Sequence, residues 1–261
     1  MRDARFLRTQ QLFGSQGLER LQGARMVVAG LGAVGSYAVE GLARAGVGHL
    51  RVVDFDIIQS SNINRQLYAL ESTLGRQKTD VARARILDIN PACAVEAMAC
   101  FIDQESIDSI LSPLPDVLID AIDSLNPKVT LLAAGVRAGV RHVLSSMGAA
   151  CRTDPAQIRV ADLKLTSACP LARCVRQGLK RRGIESGIRC VYSLEAPSKR
   201  TDALSQTESE ESRTLLRGRP RRALGSFSCL TGIFGLTLAR EAIMAVIDGQ
   251  EKQAGRLAGG V

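Results

Sequence analysis

The stretch Gly30-Leu31-Gly32-Ala33-Val34-Gly35 decides the fold of this 261-residue chain. It follows an apolar run, Arg25 to Ala29, that is typical of a buried parallel strand, and a helical segment comes after it. Glycines at this spacing permit a tight turn and let the backbone approach a phosphate at the N-terminus of that helix. About nineteen residues after Gly35, a second apolar strand ends in Asp54, where a carboxylate is expected to bind ribose hydroxyls. The pattern predicts a nucleotide-binding βαβ unit.

Strands and helices alternate along the chain from Arg25 to Ser146. Alternation of this kind predicts a parallel sheet covered by helices, with the ligand at the carboxyl ends of the strands. After Ser146 the pattern changes to short strands and a basic helix from Leu171 to Arg182. We therefore predict an α/β fold, a Rossmann-like, doubly wound and mostly parallel sheet with a C-terminal extension of short strands and helices.

One domain is expected for the whole chain, residues 1–261. Within it we predict a helical arm, a nucleotide-binding core, a substrate-binding and dimer-forming extension, and a tail, spanning 1–22, 23–150, 151–248 and 249–261. The arm is predicted to be one amphipathic helix from Arg5 to Leu21. A polar stretch from Lys199 to Arg213 is predicted to be a surface loop.

Charge and cysteine content limit the class of protein. The net charge is +8, and the segment from Arg173 to Arg222 holds thirteen Lys or Arg against six Asp or Glu. Such a block predicts a polyanionic partner, either nucleic acid, an anionic membrane surface or an acidic carrier protein, although a solvated basic surface has the same composition. Seven cysteines and no signal peptide predict a cytoplasmic location with free thiols. Because no Cys-x-x-Cys pair exists, no structural zinc is expected.

The apolar segment Phe227 to Ile247 is the one candidate for a membrane helix. Arg240 and Glu241 lie inside it, which favours a core or dimer-interface helix over a membrane span. Peripheral membrane contact stays open.

Cationic and polar residues follow the second strand in three groups, which are Asn62-Ile63-Asn64-Arg65-Gln66, then Lys78, then Asp120-Ala121-Ile122-Asp123-Ser124. A nicotinamide enzyme needs no cationic side chains at a polyphosphate. An enzyme that splits ATP needs positive charge at the α-phosphate and at the leaving pyrophosphate. The three groups of cationic and polar residues therefore favour ATP as the ligand.

This set of motifs resembles the ubiquitin-activating-like adenylyltransferase superfamily. Four further segments are similar to the tRNA threonylcarbamoyladenosine dehydratases: Gly148 to Asp162, Pro170 to Gly183, Cys190 to Glu195 and Gly225 to Phe227. The resemblance implies that a substrate carboxylate attacks ATP, that an acyl adenylate forms, and that ring closure expels AMP with net loss of water.

The resemblance also implies the site residues. The ATP-binding set comprises Gly30, Gly32, Gly35, Asp54, Asp56, Asn62, Arg65, Gln66, Lys78, Asp123 and Arg8. Within it Arg65, Lys78 and Asp123 are the catalytic residues; Asp123 is expected to hold Mg²⁺, and Arg8 to reach the partner subunit's ATP site. Asn62 is expected to orient Arg65 or the phosphate, and Asp120 to close its strand end through backbone hydrogen bonds. Each residue has a structural alternative: the glycines could only permit packing, the carboxylates could cap helices, and the arginines could be solvated.

The implied partner is tRNA bearing threonylcarbamoyladenosine, bound by a likewise implied homodimer. The predicted tRNA contacts are Arg173, Arg176, Lys180, Arg181 and Arg182, with Arg217, Arg219, Arg221 and Arg222 as second choices. A sulfur-donor or sulfur-acceptor protein is a further candidate partner. Cys190 is expected either near the substrate or in the core. An adenylyltransferase for the C-terminal glycine of a sulfur carrier, and a nucleotide-binding regulator without turnover, remain as alternatives.

Overall fold

The structure is a computed structural model that describes residues 4–198 and 224–248. Its strands are β1 (Arg25–Ala29), β2 (His49–Val53), β3 (Ala94–Met98), β4 (Val117–Asp120), β5 (His142–Ser146), β6 (Ile158–Asp162) and β7 (Ile188–Ser193). In the described part of the chain they form one sheet in the order β3-β2-β1-β4-β5-β7-β6. Every neighbouring pair is parallel except β6 and β7. The predicted α/β, mostly parallel sheet is confirmed.

The α-helices lie between and after these strands. They are α1 (Leu7–Gly23), α2 (Gly35–Ala45), α3 (Lys78–Ile89), α4 (Ile107–Leu111), α5 (Leu125–Arg137), α6 (Pro170–Lys180) and α7 (Ser228–Asp248). The central strands bury side chains on both faces, because helices cover the sheet on both sides. In β1, Met26 and Val28 join one core cluster, whereas Val27 and Ala29 join the other. This alternation follows from the two-residue period of a strand and makes the sheet doubly wound.

The prediction of one unbroken amphipathic helix for the N-terminal arm is wrong in two respects. A 3-10 turn at Ala4–Phe6 precedes α1, and α1 breaks at Gly14, whose backbone angles are φ 73° and ψ 171°. Leu12 is one of the apolar positions on which the amphipathic prediction depends, and it is 75% exposed. Glycine readily adopts positive φ, which is why the helical period does not continue through this position.

The long apolar helix α7 packs against α2. A Cβ atom on Gly235 would lie 2.3 Å from the carbonyl oxygen of Val34, and one on Gly41 would lie 2.8 Å from Cβ of Ala239. These glycines bring the two helix backbones close together. By length and composition α7 could span a membrane, but 56% of its most apolar window is buried inside the protein. The helix is part of the core, as its internal charges indicated.

A carboxylate links α2 to α3 on one face of the sheet. Glu40 accepts hydrogen bonds from Arg44 (2.7 Å) and from Arg85 (2.6 and 2.9 Å). Burial raises the pKa of Glu40, but the hydrogen bonds from Arg85 and Arg44 outweigh it and hold the pKa below its usual value. The native state is therefore favoured when Glu40 is charged.

The strands of the C-terminal extension belong to the same sheet as the core, since β7 pairs with β5. The proposed domain boundaries stay predictions. Three predictions concern residues outside the described ranges: the loop Lys199 to Arg213, the tail 249–261, and the second-choice arginines Arg217, Arg219, Arg221 and Arg222.

Candidate active site

The glycine loop connects β1 to α2 at the carboxyl edge of the sheet. Here β1 lies between β2 and β4, the strand arrangement at which doubly wound sheets bind ligands. Gly30 has φ +88°, and a Cβ atom on it would lie 2.9 Å from the carbonyl group of Ala121. A Cβ atom on Gly35 would lie 1.7 Å from the carbonyl oxygen of Gly30. The loop is therefore folded tightly on itself, and side chains larger than hydrogen are excluded at both positions.

Gly32 differs from these two glycines. The nearest atom to a Cβ atom on it would be Nε2 of Gln66, at 3.8 Å. This part of the loop has open space in front of it, and the side chain of Gln66 reaches towards that space. The structure thus brings together Gly32 and Gln66, both of which are predicted to bind the nucleotide.

Asp54 ties the glycine loop to the end of β2. Its carboxylate accepts hydrogen bonds from the backbone N–H of Leu31 (2.6 Å) and of Asp56 (2.9 Å). Burial raises the pKa of Asp54, whereas Lys78 lowers it. The carboxylate thus has an observed structural role, and each of its oxygens retains a lone pair that could accept a hydrogen bond from a ribose hydroxyl.

Lys78 is a buried cation beside the loop. It is the first residue of α3, and its Nζ lies 2.8 Å from Oδ2 of Asp56. An isolated antiparallel bridge between Ile57 and Gln77 brings the two side chains together. A cation at a helix N-terminus meets the positive end of the helix dipole, and burial adds a desolvation cost. A lysine kept there despite both costs is well placed to meet an anion.

The segment that holds Arg65 is anchored to α2. The backbone N–H of Leu67 donates to the Ser36 hydroxyl (3.2 Å), and the Arg65 guanidinium donates to the carbonyl of Ser61 (2.7 Å) and to Oδ1 of Asn64 (2.8 Å). Asn64, which the sequence did not single out, is therefore the asparagine that holds Arg65. The buried Asn62 instead accepts a hydrogen bond from the backbone of Gln59 (3.2 Å) and shapes the 3-10 turn.

The turn after β4 forms the opposite wall of the loop. Asp120 is fully buried and contacts Lys128 (2.5 Å) and the Ser145 hydroxyl (2.6 Å), while one backbone N–H, that of Ile122, donates to it (3.1 Å). The expectation that backbone hydrogen bonds hold Asp120 is incomplete, because the main partner of Asp120 is the side chain of Lys128. Asp123 is exposed on this turn. In residues 4–198 and 224–248, no group of three His, Cys, Asp or Glu side chains is arranged as a metal cage.

Lys128 was missed by sequence reasoning, although the sequence holds a signal for it. It lies three, four and seven residues before Leu131, Leu132 and Gly135, all of them buried on α5. A charged residue on the core face of a helix needs a buried partner, and Asp120 at the preceding strand end is the nearest candidate.

The predicted tRNA contacts on α6 separate into two groups. Arg173, Lys180, Arg181 and Arg182 are exposed. Arg176 instead turns inward and donates to the carbonyls of Thr166 (2.8 Å) and Leu163 (3.3 Å). The guanidinium of Arg182 is 3.3 Å from the Thr130 hydroxyl.

A cavity of about 320 Å³ lies between α6 and the start of β7. Lys164, Arg176, Lys180 and Glu185 line it together with apolar side chains. Because it borders the first residue of β7, it is at the edge of the sheet opposite the glycine loop.

Two further predicted site residues are Arg8 and Cys190. Arg8 is exposed on the first turn of α1, a helix that packs against α7. Cys190 is fully buried in β7, and burial raises the pKa of its thiol. The core alternative for Cys190 is the one the structure supports.

Comparison with known proteins identifies the family of this chain. A tRNA threonylcarbamoyladenosine dehydratase of Bacillus subtilis is 41% identical over 192 residues, covering 74% of this chain and 75% of the relative. The Escherichia coli enzyme of the same name is 38% identical over 199 residues, 74% of each chain. A crystal structure of the E. coli enzyme in complex with ATP matches with a TM-score of 0.84 and 31% identity, covering 95% of this chain and 96% of that one. The ThiF family model matches residues 5–259, and the chain therefore belongs to the ThiF family.

Proposed function

We propose that the protein is an ATP-dependent tRNA threonylcarbamoyladenosine dehydratase. The observation that carries the proposal is the similarity, over 95% of the chain, to an ATP-bound enzyme of that name. The glycine loop, Lys78 and Arg65 lie at the edge where a doubly wound sheet binds ligands, which supports ATP as the co-substrate.

ATP binding follows from the chemistry of this edge. The glycine loop, Gly30 to Gly35, receives the phosphates on backbone N–H groups, and the open space before Gly32 admits them. Asp54 binds the ribose hydroxyls with the lone pairs that its backbone partners leave, and Asp56 holds Lys78 in place.

The catalytic task is to stabilise negative charge at the α-phosphate and on the departing pyrophosphate. Lys78 supplies a desolvated ammonium, and Arg65 supplies a planar donor fork already fixed by Asn64. Cations fixed in advance in a water-poor site stabilise developing charge without reorganising during the reaction. We assign Arg65 and Lys78 to this role, with Gln66 and Asn62 shaping the segment around them.

Mg²⁺ fits the donor set of the turn after β4. Mg²⁺ is usually held by one or two carboxylates together with phosphate oxygens, and Asp123 offers an exposed carboxylate on the turn whose Ala121 backbone lies against Gly30. When bound, the ion would neutralise charge on the phosphates. A fully protein-built metal cage is not required for this arrangement.

The reaction has two stages. A carboxylate oxygen of the threonyl group attacks the α-phosphorus of ATP, pyrophosphate leaves, and an acyl adenylate forms. A nucleophilic atom of the same modified nucleoside then attacks the activated carbonyl carbon, the bond to AMP breaks, and a ring closes with net loss of water. Proximity of the two reacting groups supplies much of the barrier reduction, so that no enzyme nucleophile is needed.

The exposed basic face of α6 is the proposed tRNA-binding surface. Arg173, Lys180, Arg181 and Arg182 contact phosphates, while Arg176 supports the helix through its internal hydrogen bonds. Each phosphate contact to a single-stranded region contributes about −0.7 to the slope of log affinity against log salt concentration. Replacing all four exposed residues by alanine should therefore reduce that slope by about 3.

We further propose a cytoplasmic homodimer in which Arg8 completes the ATP site of the partner subunit. Exposed apolar side chains on α7, Ile233 and Leu236, offer a surface for a second copy. Mixing inactive Arg8→Ala and Arg65→Ala proteins tests this directly. Activity should return in mixed dimers, because one of their two sites then has both arginines; no recovery despite subunit exchange would contradict a shared site.

The experiment that tests the function compares three potential acceptors for ATP turnover. AMP and pyrophosphate are measured with tRNA bearing threonylcarbamoyladenosine, with the same tRNA lacking the modification, and with a sulfur-carrier protein that ends in Gly-Gly. Turnover only with the modified tRNA is expected. Pyrophosphate exchange only with the carrier protein would identify the alternative adenylyltransferase function and a sulfur-transfer partner.

A further inference from the structure

Lys128 occupies a buried polar cluster behind the glycine loop. Its side chain has no exposure, and Nζ donates to Oδ2 of Asp120 (2.5 Å), to the carbonyl of Ser146 (2.9 Å) and to the hydroxyl of Ser145 (3.3 Å). All three ammonium protons thus have acceptors. Because it has no exposure, Lys128 touches no substrate.

A gain in stability does not by itself explain the buried ion pair between Asp120 and Lys128. Taking two charges out of water costs about as much as their attraction returns, and well-packed apolar side chains are often as stable in such positions. A buried pair of this kind does fix geometry, since each partner is held at one place by several hydrogen bonds.

What the pair fixes is the turn that carries Asp123. The Asp120–Lys128 contact closes the segment 121–127 at both ends, and the other oxygen of Asp120 accepts the backbone N–H of Ile122 (3.1 Å). The backbone N–H of Lys128 donates to the carbonyl of Ser124 (3.1 Å) at the start of α5. Each side of Asp123 is therefore tied to one member of the pair.

The same turn also contacts the glycine loop. The backbone N–H of Ala121 donates to the carbonyl of Ala29 (2.8 Å), and the Ala121 carbonyl lies against Gly30. A displacement of the turn would move both the wall of the phosphate site and the carboxylate beside it.

We propose that Lys128 is a positioning residue that, through Asp120, fixes the turn 121–124 so that Asp123 faces the ATP phosphates and their metal ion. This inference rests on the role of Asp123 in the proposed function. It predicts that removing the pair weakens binding of the metal–triphosphate unit but not of AMP, which lacks the β- and γ-phosphates.

The test is a double-mutant cycle between the pair and Asp123. Lys128→Met combined with Asp120→Asn removes both charges together, so that no unpaired charge stays buried. Asp123→Asn is made alone and in that background. Leu131→Ala, a cavity variant at a fully buried position one turn further along α5, is the control for general destabilisation. The readouts are melting temperature, AMP affinity, Mn²⁺ affinity with a non-hydrolysable ATP analogue, and the kcat and KM of AMP formation.

The expected result is an about tenfold loss of Mn²⁺ affinity and of kcat in the pair variant, with unchanged AMP affinity and no further loss when Asp123→Asn is added. The control should lower the melting temperature without changing Mn²⁺ affinity. Additive losses, or a pair variant that loses only thermal stability, would overturn the inference and leave the proposed function standing. Full activity and Mn²⁺ affinity in Asp123→Asn alone would remove Asp123 from the proposed function and the inference with it.

Discussion

Two glycines of the loop make a matched pair for a test of its geometry. At Gly35 an added Cβ atom would start 1.7 Å from the carbonyl oxygen of Gly30 and would have to move to at least 3.0 Å. At Gly32 the nearest atom would be 3.8 Å away, an ordinary contact distance. The same substitution, glycine to alanine, therefore meets a clash at one position and open space at the other.

The clash decides the sign of the effect at Gly35. Alanine gains up to about 1 kcal/mol in helix propensity at this first position of α2. Overpacking of a well-packed site costs about 1–3 kcal/mol or more, and the carbonyl that must move also touches the turn after β4. The clash is with backbone, so its cost lies at the upper end of this range, and after the gain in helix propensity the net loss is about 2 kcal/mol. Because a loss of 1 kcal/mol lowers the melting temperature of a protein of this size by about 2–4 °C, we expect Gly35→Ala to melt roughly 4–8 °C lower than the wild type.

Gly32→Ala should have the opposite profile. Its stability should stay within about 0.5 kcal/mol of the wild type. The methyl group would occupy the space before the loop and displace one charge-assisted hydrogen bond to a phosphate, a loss of about 1.5–3 kcal/mol, or a factor of ten or more in ATP affinity.

Thermal unfolding and calorimetric titration with a non-hydrolysable ATP analogue measure the two effects separately. If Gly32→Ala binds the analogue as tightly as the wild type does, the loop does not face the phosphates. If Gly35→Ala melts with the wild type, the tight packing of the loop is incorrect.

Three further predictions concern single side chains. Arg65→Ala should lower kcat for AMP formation by about 10²–10³-fold with little change in melting temperature, and Arg65→Lys should recover only part of it because a point charge replaces a donor fork; full recovery with lysine would contradict this role. Glu40→Gln should be less stable than the wild type at pH 7, because the lowered pKa of Glu40 stabilises the fold only while the group is charged. The difference in unfolding free energy between the two proteins should close as the pH falls below about 4. Denaturant unfolding at pH 7 and below pH 4 measures this difference, and a difference that does not change with pH would refute the prediction. Burial raises the pKa of Cys190, so its thiol should react with a disulfide reagent only after unfolding, and Cys190→Ala should keep a rate of the same order as the wild type; loss of turnover in a folded Cys190→Ala protein would show that the thiol takes part in the reaction.

Much of the fold could be predicted because its strands are buried on both faces. A central parallel strand is rich in apolar residues, so β1, β2, β4 and β5 are visible as short runs between helical segments, although β2 contains Arg51 and β5 ends in two serines. The predicted ends of helices were less exact where a residue type is allowed at more than one position of the first helical turn. The sequence pattern predicts a helix from Pro127 to Ala138, but α5 begins at Leu125, because proline is tolerated throughout the first helical turn.

The directions of individual side chains were the part that the sequence could not define. The motifs indicated which side chains approach the nucleotide, but not that Asn64 holds Arg65, or that Arg176 faces inward. These depend on side-chain direction within a packed structure, which spacing alone does not determine. The break at Gly14 was missed for a related reason, since a glycine within a helical pattern is tolerated more often than it ends the helix.

The most direct test of the central claim is mass analysis of nucleosides from the tRNA product. The purified protein is incubated with ATP, Mg²⁺ and tRNA bearing threonylcarbamoyladenosine, and the tRNA is then digested. We predict that the modified nucleoside loses the mass of one water, with one AMP released for each nucleoside converted. An unchanged nucleoside mass while ATP is consumed, or AMP release that does not depend on this tRNA, would contradict the account.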